Sequence, residues 1–193
     1  IGYTASPYGY TKQVCERICR DAASAHPEIK ITLLRYFNPI GAHPSGLIGE
    51  LPIGVPNNLV PFITQTAAGI REMLTVYGKD YNTHDGTCIR DYIHVCDLAN
   101  AHVLALDNKM EVSQNIEVFN VGTGVGSSVL EVIQTFEKVN DITLKYQFGE
   151  RREGDAVQIY ADNHKIISKL KWKPQYSLAD ALQHAWNWQK LLN

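Results

Sequence analysis

The chain has 193 residues, 45% of them hydrophobic and 20% charged, with 18 basic against 20 acidic side chains and a formal net charge of −2. That composition suits a globular protein of one domain, or one domain with part of another. It contains no run of about 18 apolar residues for a transmembrane helix, and no basic cluster for a nucleic-acid surface.

The N-terminus, Ile1 to Pro7, has no initiator Met, charged n-region or apolar h-region, so no signal peptide is expected. Ser6-Pro7 predicts a helix start, and apolar residues recur at Val14, Cys15, Ile18, Cys19 and Ala22 until His26-Pro27 ends the pattern. Ile31 to Phe37 reads as a nearly continuous apolar strand, of the kind buried on both faces in parallel sheets. A Pro- and Gly-rich loop from Asn38 to Pro56 is long enough to be expected either functional or disordered. Helices are predicted over 58–71, 95–107, 128–139, 163–170 and 178–191, and strands over 74–77, 91–94, 116–121 and 142–148, with a polar loop over 78–86. The class is α/β.

Cys15, Cys19, Cys88 and Cys96 form no C-x-x-C, and no His stands at metal-finger spacing from them. They read as small buried apolar residues in a reducing cytosol, and no metal site is expected.

Three groups could carry chemistry. Tyr8 and Lys12 stand four apart, so on a helix they share a face, and a fixed ammonium beside a phenol favours the phenolate needed of a base. The same spacing also arises in helices with no such role. Gly122-Thr123-Gly124-Val125-Gly126 lies between a strand and a helix but lacks dinucleotide-fingerprint spacing and its acidic partner, so a tight turn with Ser127 or Ser128 as N-cap is expected. Asn38, Asn57, Asn58, Arg90, Arg151, Arg152 and Asp155 are either surface polar groups and ion pairs of little energetic weight or forks for a diphosphate. Both readings stay open.

The order of several blocks resembles the UDP-galactose 4-epimerase family, within the extended short-chain dehydrogenases/reductases. They are Tyr8-x-x-x-Lys12, Leu34-Arg35-Tyr36-Phe37-Asn38-Pro39, Gly41 to Gly46, Ile53 to Leu59, Asp85-Gly86-Thr87, Arg90 to Val95, Asn120 to Gly124 and Arg151 to Asp155. The Tyr/Lys spacing is shared by the whole superfamily. The Arg-Tyr-Phe-Asn-Pro, Pro-Asn-Asn-Leu and Arg-Arg-Glu-Gly-Asp blocks are more specific. The likeness runs from Ile1 to Asn193 and ends on Trp186-Asn187-Trp188-Gln189.

The resemblance implies a C-terminal fragment, lacking the NAD-binding glycine turn and the catalytic Ser or Thr of such enzymes. Residues 1–38 would be the C-terminal end of a Rossmann-type NAD-binding domain, and 39–193 a smaller mixed α/β substrate domain, with part of 95–121 packing back on the Rossmann sheet. The intact enzyme would interconvert UDP-glucose and UDP-galactose with NAD, while this chain alone would be inactive. Tyr8 would take the proton from the sugar 4-hydroxyl, Lys12 would assist it and hold the nicotinamide ribose, and Tyr36 would lie near the nicotinamide. Asn38, Asn57, Asn58 and the Leu59 backbone would hold sugar and diphosphate, with Thr75 and Tyr77 near the uridine. Arg90 and Arg152 would grip phosphates and Asp155 the ribose. At Ile159 relatives carry either a bulky Tyr or a small residue that admits N-acetylated sugars; a preference for the plain hexose is expected. A cytoplasmic homodimer or other self-association is implied, with no nucleic acid, membrane or metal. The alternatives are a nucleotide-sugar dehydratase or decarboxylase with the same Tyr/Lys pair, or a non-catalytic nucleotide-sugar-binding fragment.

Overall fold

A computed structural model describes residues 4, 6–108 and 115–192. The Ser6 hydroxyl accepts the Gly9 N–H at 3.1 Å and opens α1 (Pro7–Ala25), the proline filling a position whose N–H would have no helical partner. After it come β1 (Ile31–Tyr36), β2 (Asn38–Ile40), α2 (Leu59–Ala67), β3 (Leu74–Tyr77), β4 (Ile89–His94) and α3 (Val95–Asp107). The second half holds β5 (Ile116–Val121), β6 (Gly126–Ser128), α4 (Val129–Asn140), β7 (Tyr146–Gly149), β8 (Gln158–Ile159), α5 (His164–Leu170) and α6 (Leu178–Leu191). Ser128 and Ser177 close full capping boxes at the starts of α4 and α6.

Parallel pairing dominates. β1 runs beside β5, β2 and β8 beside β4, and β3 beside β7, while β6 lies antiparallel to β4. The chain is therefore mixed α/β. Strand β4 stands between two cores. Tyr92 faces one, built on Val60, Ile63, Val76, Ile133, Phe136 and Leu182. Its neighbour Ile93 points the other way, into a second with Phe119, Ile166 and Trp172.

Several sequence expectations are corrected. Strand β1 is half-buried rather than buried, because among the described residues it has a pairing partner on one edge only. The helix expected over 58–71 stops at Ala67, where the chain turns through Gly69 at φ +74°. The strand expected from Ile142 starts at Tyr146. Of the four free cysteines only Cys88 is buried, and Cys15 is exposed.

Candidate active site and nucleotide-binding face

Tyr8, Lys12 and Glu16 follow at four-residue spacing along α1, so they line one face of it. That face borders a cavity of about 820 Å³ whose other walls include Arg35, Tyr36, Asn38, Asn58, Leu59 and Tyr92. The Lys12 ammonium lies 5.1 Å from the centroid of the Tyr8 ring. Among the described residues Lys12 makes no ion pair, because the carboxylate one turn on, Glu16, is taken by Arg35. Arg35 Nε donates to Glu16 Oε1 at 2.6 Å and Nη2 to Oε2 at 2.7 Å. That bidentate bond holds the Glu16 carboxyl below its usual range and ties α1 to β1. Tyr8 itself is 70% exposed and open to a ligand.

Tyr36, at the end of β1, is oriented by His102, a residue that no motif or spacing marks. His102 Nδ1–H donates to the Leu98 carbonyl at 2.8 Å, which leaves Nε2 to accept the Tyr36 hydroxyl at 2.6 Å. Asn58 is the N-cap residue of α2 but its side chain donates to Glu50 Oε1 at 3.3 Å and makes no cap bond. The first N–H groups of α2 are thus left facing the cavity region, a fit for anionic or carbonyl oxygens. Asn57 is exposed and is not among the residues lining the cavity.

The remaining candidates form a second group, joined to the first by β4. Asn38 on β2 stands opposite Tyr92, and Arg90 lies two residues back along the same face of β4, roughly 7 Å away. Ile159 on β8 stands opposite Arg90. Arg90 Nη2 donates to Asp155 Oδ1 at 3.3 Å, and its Nη1 donates to the carbonyls of Ile89 and Ala156, both at 2.8 Å. At the separate β3–β7 pair, the Arg152 guanidinium, just beyond β7, lies 4.0 Å over the Tyr77 ring, and Thr75 Oγ1 accepts from Gln147 Nε2 at 3.5 Å. Arg151 turns away to Asp80 at 2.7 Å. The structure thus gathers Tyr8, Lys12, Tyr36, Asn38, Asn58 and Leu59 at one cavity, while Thr75 and Tyr77 lie on β3, Arg90 and Ile159 face each other on β4 and β8, and Arg152 and Asp155 stand in the turn between β7 and β8 and reach Tyr77 and Arg90.

The glycine run at Gly122–Gly126 has another use. Its amides serve Asp91, a fully buried carboxylate that accepts from Thr123 N (2.8 Å), Thr123 Oγ1 (2.7 Å), Gly124 N (2.9 Å) and Ala161 N (3.1 Å). A Cβ on Gly122 would stand 2.6 Å from Asp91 Oδ2. These amides hold a side chain of the protein, not a dinucleotide. Among the described residues no group of three side chains is arranged to hold a metal ion, and no helix is long and apolar enough to cross a membrane.

Residues 2–185 match the family model described as GDP-mannose 4,6 dehydratase. A UDP-glucose 4-epimerase of Oryza sativa subsp. japonica is 54% identical over 185 residues, which are 95% of this chain and 52% of that protein. That of Haemophilus influenzae is 50% identical, covering 98% of this chain and 56% of the relative. In the solved structure of UDP-glucose 4-epimerase from Bifidobacterium longum, in complex with NAD+ and UDP, 56% of the chain superposes on 98% of this one with a TM-score of 0.94 at 46% identity. The chain spans about half the length of the curated relatives it matches.

Proposed function

The chain belongs to the GDP-mannose 4,6-dehydratase family, and within that family we propose that it is the nucleotide-sugar-binding half of a UDP-glucose 4-epimerase. The relatives at about half identity carry that name. The observation that carries the reading is the cavity joining a Tyr/Lys pair to Asn38, Asn58 and the start of α2, with Arg90 two residues along β4 from Tyr92, which stands opposite Asn38.

NAD, bound in the whole enzyme, would supply the acceptor and donor of hydride at sugar C4. The residues of this chain fit only its nicotinamide-ribose end. The donor set is right for that end, because the Lys12 ammonium is not consumed by Glu16 and Tyr36 is held at the cavity edge by His102. Tyr8 takes the proton of the 4-hydroxyl and returns it, and the Lys12 charge stabilises the phenolate between those events. Asn38, Asn57, Asn58 and the α2 amides hold the sugar and diphosphate. Arg90 and Arg152 spread the diphosphate charge over two guanidinium groups, Thr75 and Tyr77 border the uridine, and Asp155 receives its ribose. Residues 1–38 are the end of the NAD-binding domain and 39–193 the substrate domain, with part of 95–121 packing back on the NAD-binding sheet, a reading supported by the pairing of β5 with β1.

Ile159, opposite Arg90, is intermediate in bulk, and the plain hexose is the preferred sugar. The setting is cytoplasmic. Self-association is supported by the second edge of β1, unpaired among the described residues, and by Tyr10, Val14 and Ile18, exposed at four-residue spacing along α1.

Separate titrations of the 193-residue chain test the reading: UDP-glucose is expected to bind, and NAD only weakly. Binding of NAD without UDP-glucose overturns it. In an intact protein containing this chain, UDP-glucose and UDP-galactose should interconvert, and Tyr8→Phe should abolish it; a 4-keto-6-deoxy sugar or a pentose as product would favour the dehydratase or decarboxylase alternative.

A further inference from the structure

Among the described residues one buried side-chain polar atom has no hydrogen-bond partner, the hydroxyl of Tyr81. The residue is 4% exposed, and its ring is fixed in place. The Arg151 guanidinium lies 4.3 Å over the ring centroid, itself anchored to Asp80. A Cβ on Gly78 would stand only 2.4 Å from the ring edge, so the backbone closes that side. The hydroxyl cannot swing away to find an acceptor. A buried donor left so is costly to the free chain, and its retention asks what would satisfy it.

The charges around the phenol are those of the nucleotide-binding face. Asp155 stands in the same turn as Arg151, which covers the Tyr81 ring, and its N–H donates to the Arg152 carbonyl at 3.3 Å. Burial pushes the Tyr81 phenol up, Asp155 and Cys88 act in the same direction, and Arg151 and Arg90 oppose. In the free chain Asp155 Oδ1 is engaged by Arg90 through a long 3.3 Å bond, whereas both bonds from Arg90 Nη1 to backbone carbonyls are 2.8 Å. The Nη2 contact is therefore the one Arg90 can most readily give up. A diphosphate offers it a stronger, doubly charged acceptor.

We propose that Tyr81 is a positioning residue of the nucleotide-binding face, whose hydroxyl donates to the Asp155 carboxylate when an anionic ligand draws Arg90 Nη2 away. The inference rests on the nucleotide-sugar reading given above. It makes the Tyr81 hydroxyl idle in the free chain and useful only in the bound one. A residue that merely packs would show the reverse.

The test is calorimetric titration of the 193-residue chain with UDP, beside thermal melting without ligand, for the chain itself and for Tyr81→Phe. Tyr81→Phe should bind UDP about tenfold more weakly, the loss expected for one hydrogen bond to a charged group. Its melting temperature without UDP should be equal or higher, because the orphan hydroxyl is gone. Equal affinity for UDP, or a lower melting temperature without it, overturns the proposal. A second readout needs no variant: the ring resonances of Tyr81 in a chain labelled with carbon-13 at tyrosine Cζ should move on saturation with UDP, and an unmoved signal overturns the proposal equally. If the unsubstituted chain binds no UDP, the nucleotide-sugar reading fails and the inference with it; if it binds and Tyr81→Phe binds as well, only the inference fails.

Discussion

Asp91 shows how a single side chain organises the ground beneath the candidate site. It follows Arg90 on β4 and points to the opposite side, where its two oxygens take four donors from the 122–124 turn and from Ala161. The Ala161 bond fixes the chain immediately after β8, and hence Ile159 opposite Arg90. Asn in its place keeps the shape but turns one oxygen into an NH2 group facing N–H donors. Asp91→Asn should destabilise the chain by about 2–3 kcal/mol, because donors lose their acceptor inside a buried cluster. Urea unfolding with an unchanged slope and a lower midpoint is the expected reading, and a midpoint equal to that of the unsubstituted chain would contradict it. The turn's glycines were recognisable as a turn from their spacing. What they bind was not, because the acceptor lies some thirty residues earlier.

At the scale of elements, α1 is held to the rest of the chain in a singular way. Of its residues only Ala23 is buried, so ordinary core packing contributes little, and the Arg35–Glu16 fork carries much of the attachment. Arg35 lowers the Glu16 carboxyl, so the pair's contribution is present above the ordinary Glu value of about 4.3 and is lost as pH falls through the folded-state value. Glu16→Gln should therefore free α1 at neutral pH, at a cost of about 1–2 kcal/mol for a partly buried pair. Faster amide exchange confined to α1, with α4 and α6 unchanged, is the expected result; exchange unaltered throughout would show that the fork is not the tether. The helix itself was legible from Ser6-Pro7 and its apolar spacing, and so was the Tyr8/Lys12 face, since both lie within one element. Glu16 follows the same spacing and was findable, but its partner sits nineteen residues on, in a strand. Strands β2, β6 and β8 escaped notice because two or three residues carry no periodicity. They are strands only because β4 lies beside them. The Arg90–Asp155 and Arg152–Tyr77 contacts depend on those same pairings and on β3–β7, so sequence left their role undecided between surface charge and ligand grip.

For the molecule as a whole, the joint between the two cores is titratable. His94 ends β4 and caps α3, accepting the Cys96 N–H on Nδ1 at 3.0 Å. Its ring proton therefore sits on Nε2, 3.0 Å from His184 Nδ1 on α6, and its ring stacks on Tyr176 at 4.1 Å. One imidazole so links α3, which packs in the second core, to α6, which packs in the first. Burial, reinforced by His184 and His43 and opposed by Asp180, lowers its pKa to about 4. The unfolded chain takes up that proton near 6.5, so between about pH 6.5 and 4 the unfolded state binds more protons than the folded one. Stability from this group is complete above 6.5 and declines as pH falls toward 4, by on the order of 3 kcal/mol across the window. His94→Gln removes the titration along with the stacking. The variant should be less stable at pH 7.5, yet its stability should change far less between pH 6.5 and 4.5 than that of the unsubstituted chain. Parallel stability curves for the two proteins over that range would mean that other groups govern the acid limb. Convergence of the curves toward acid would place the pH dependence of the whole chain at the contact between its two cores.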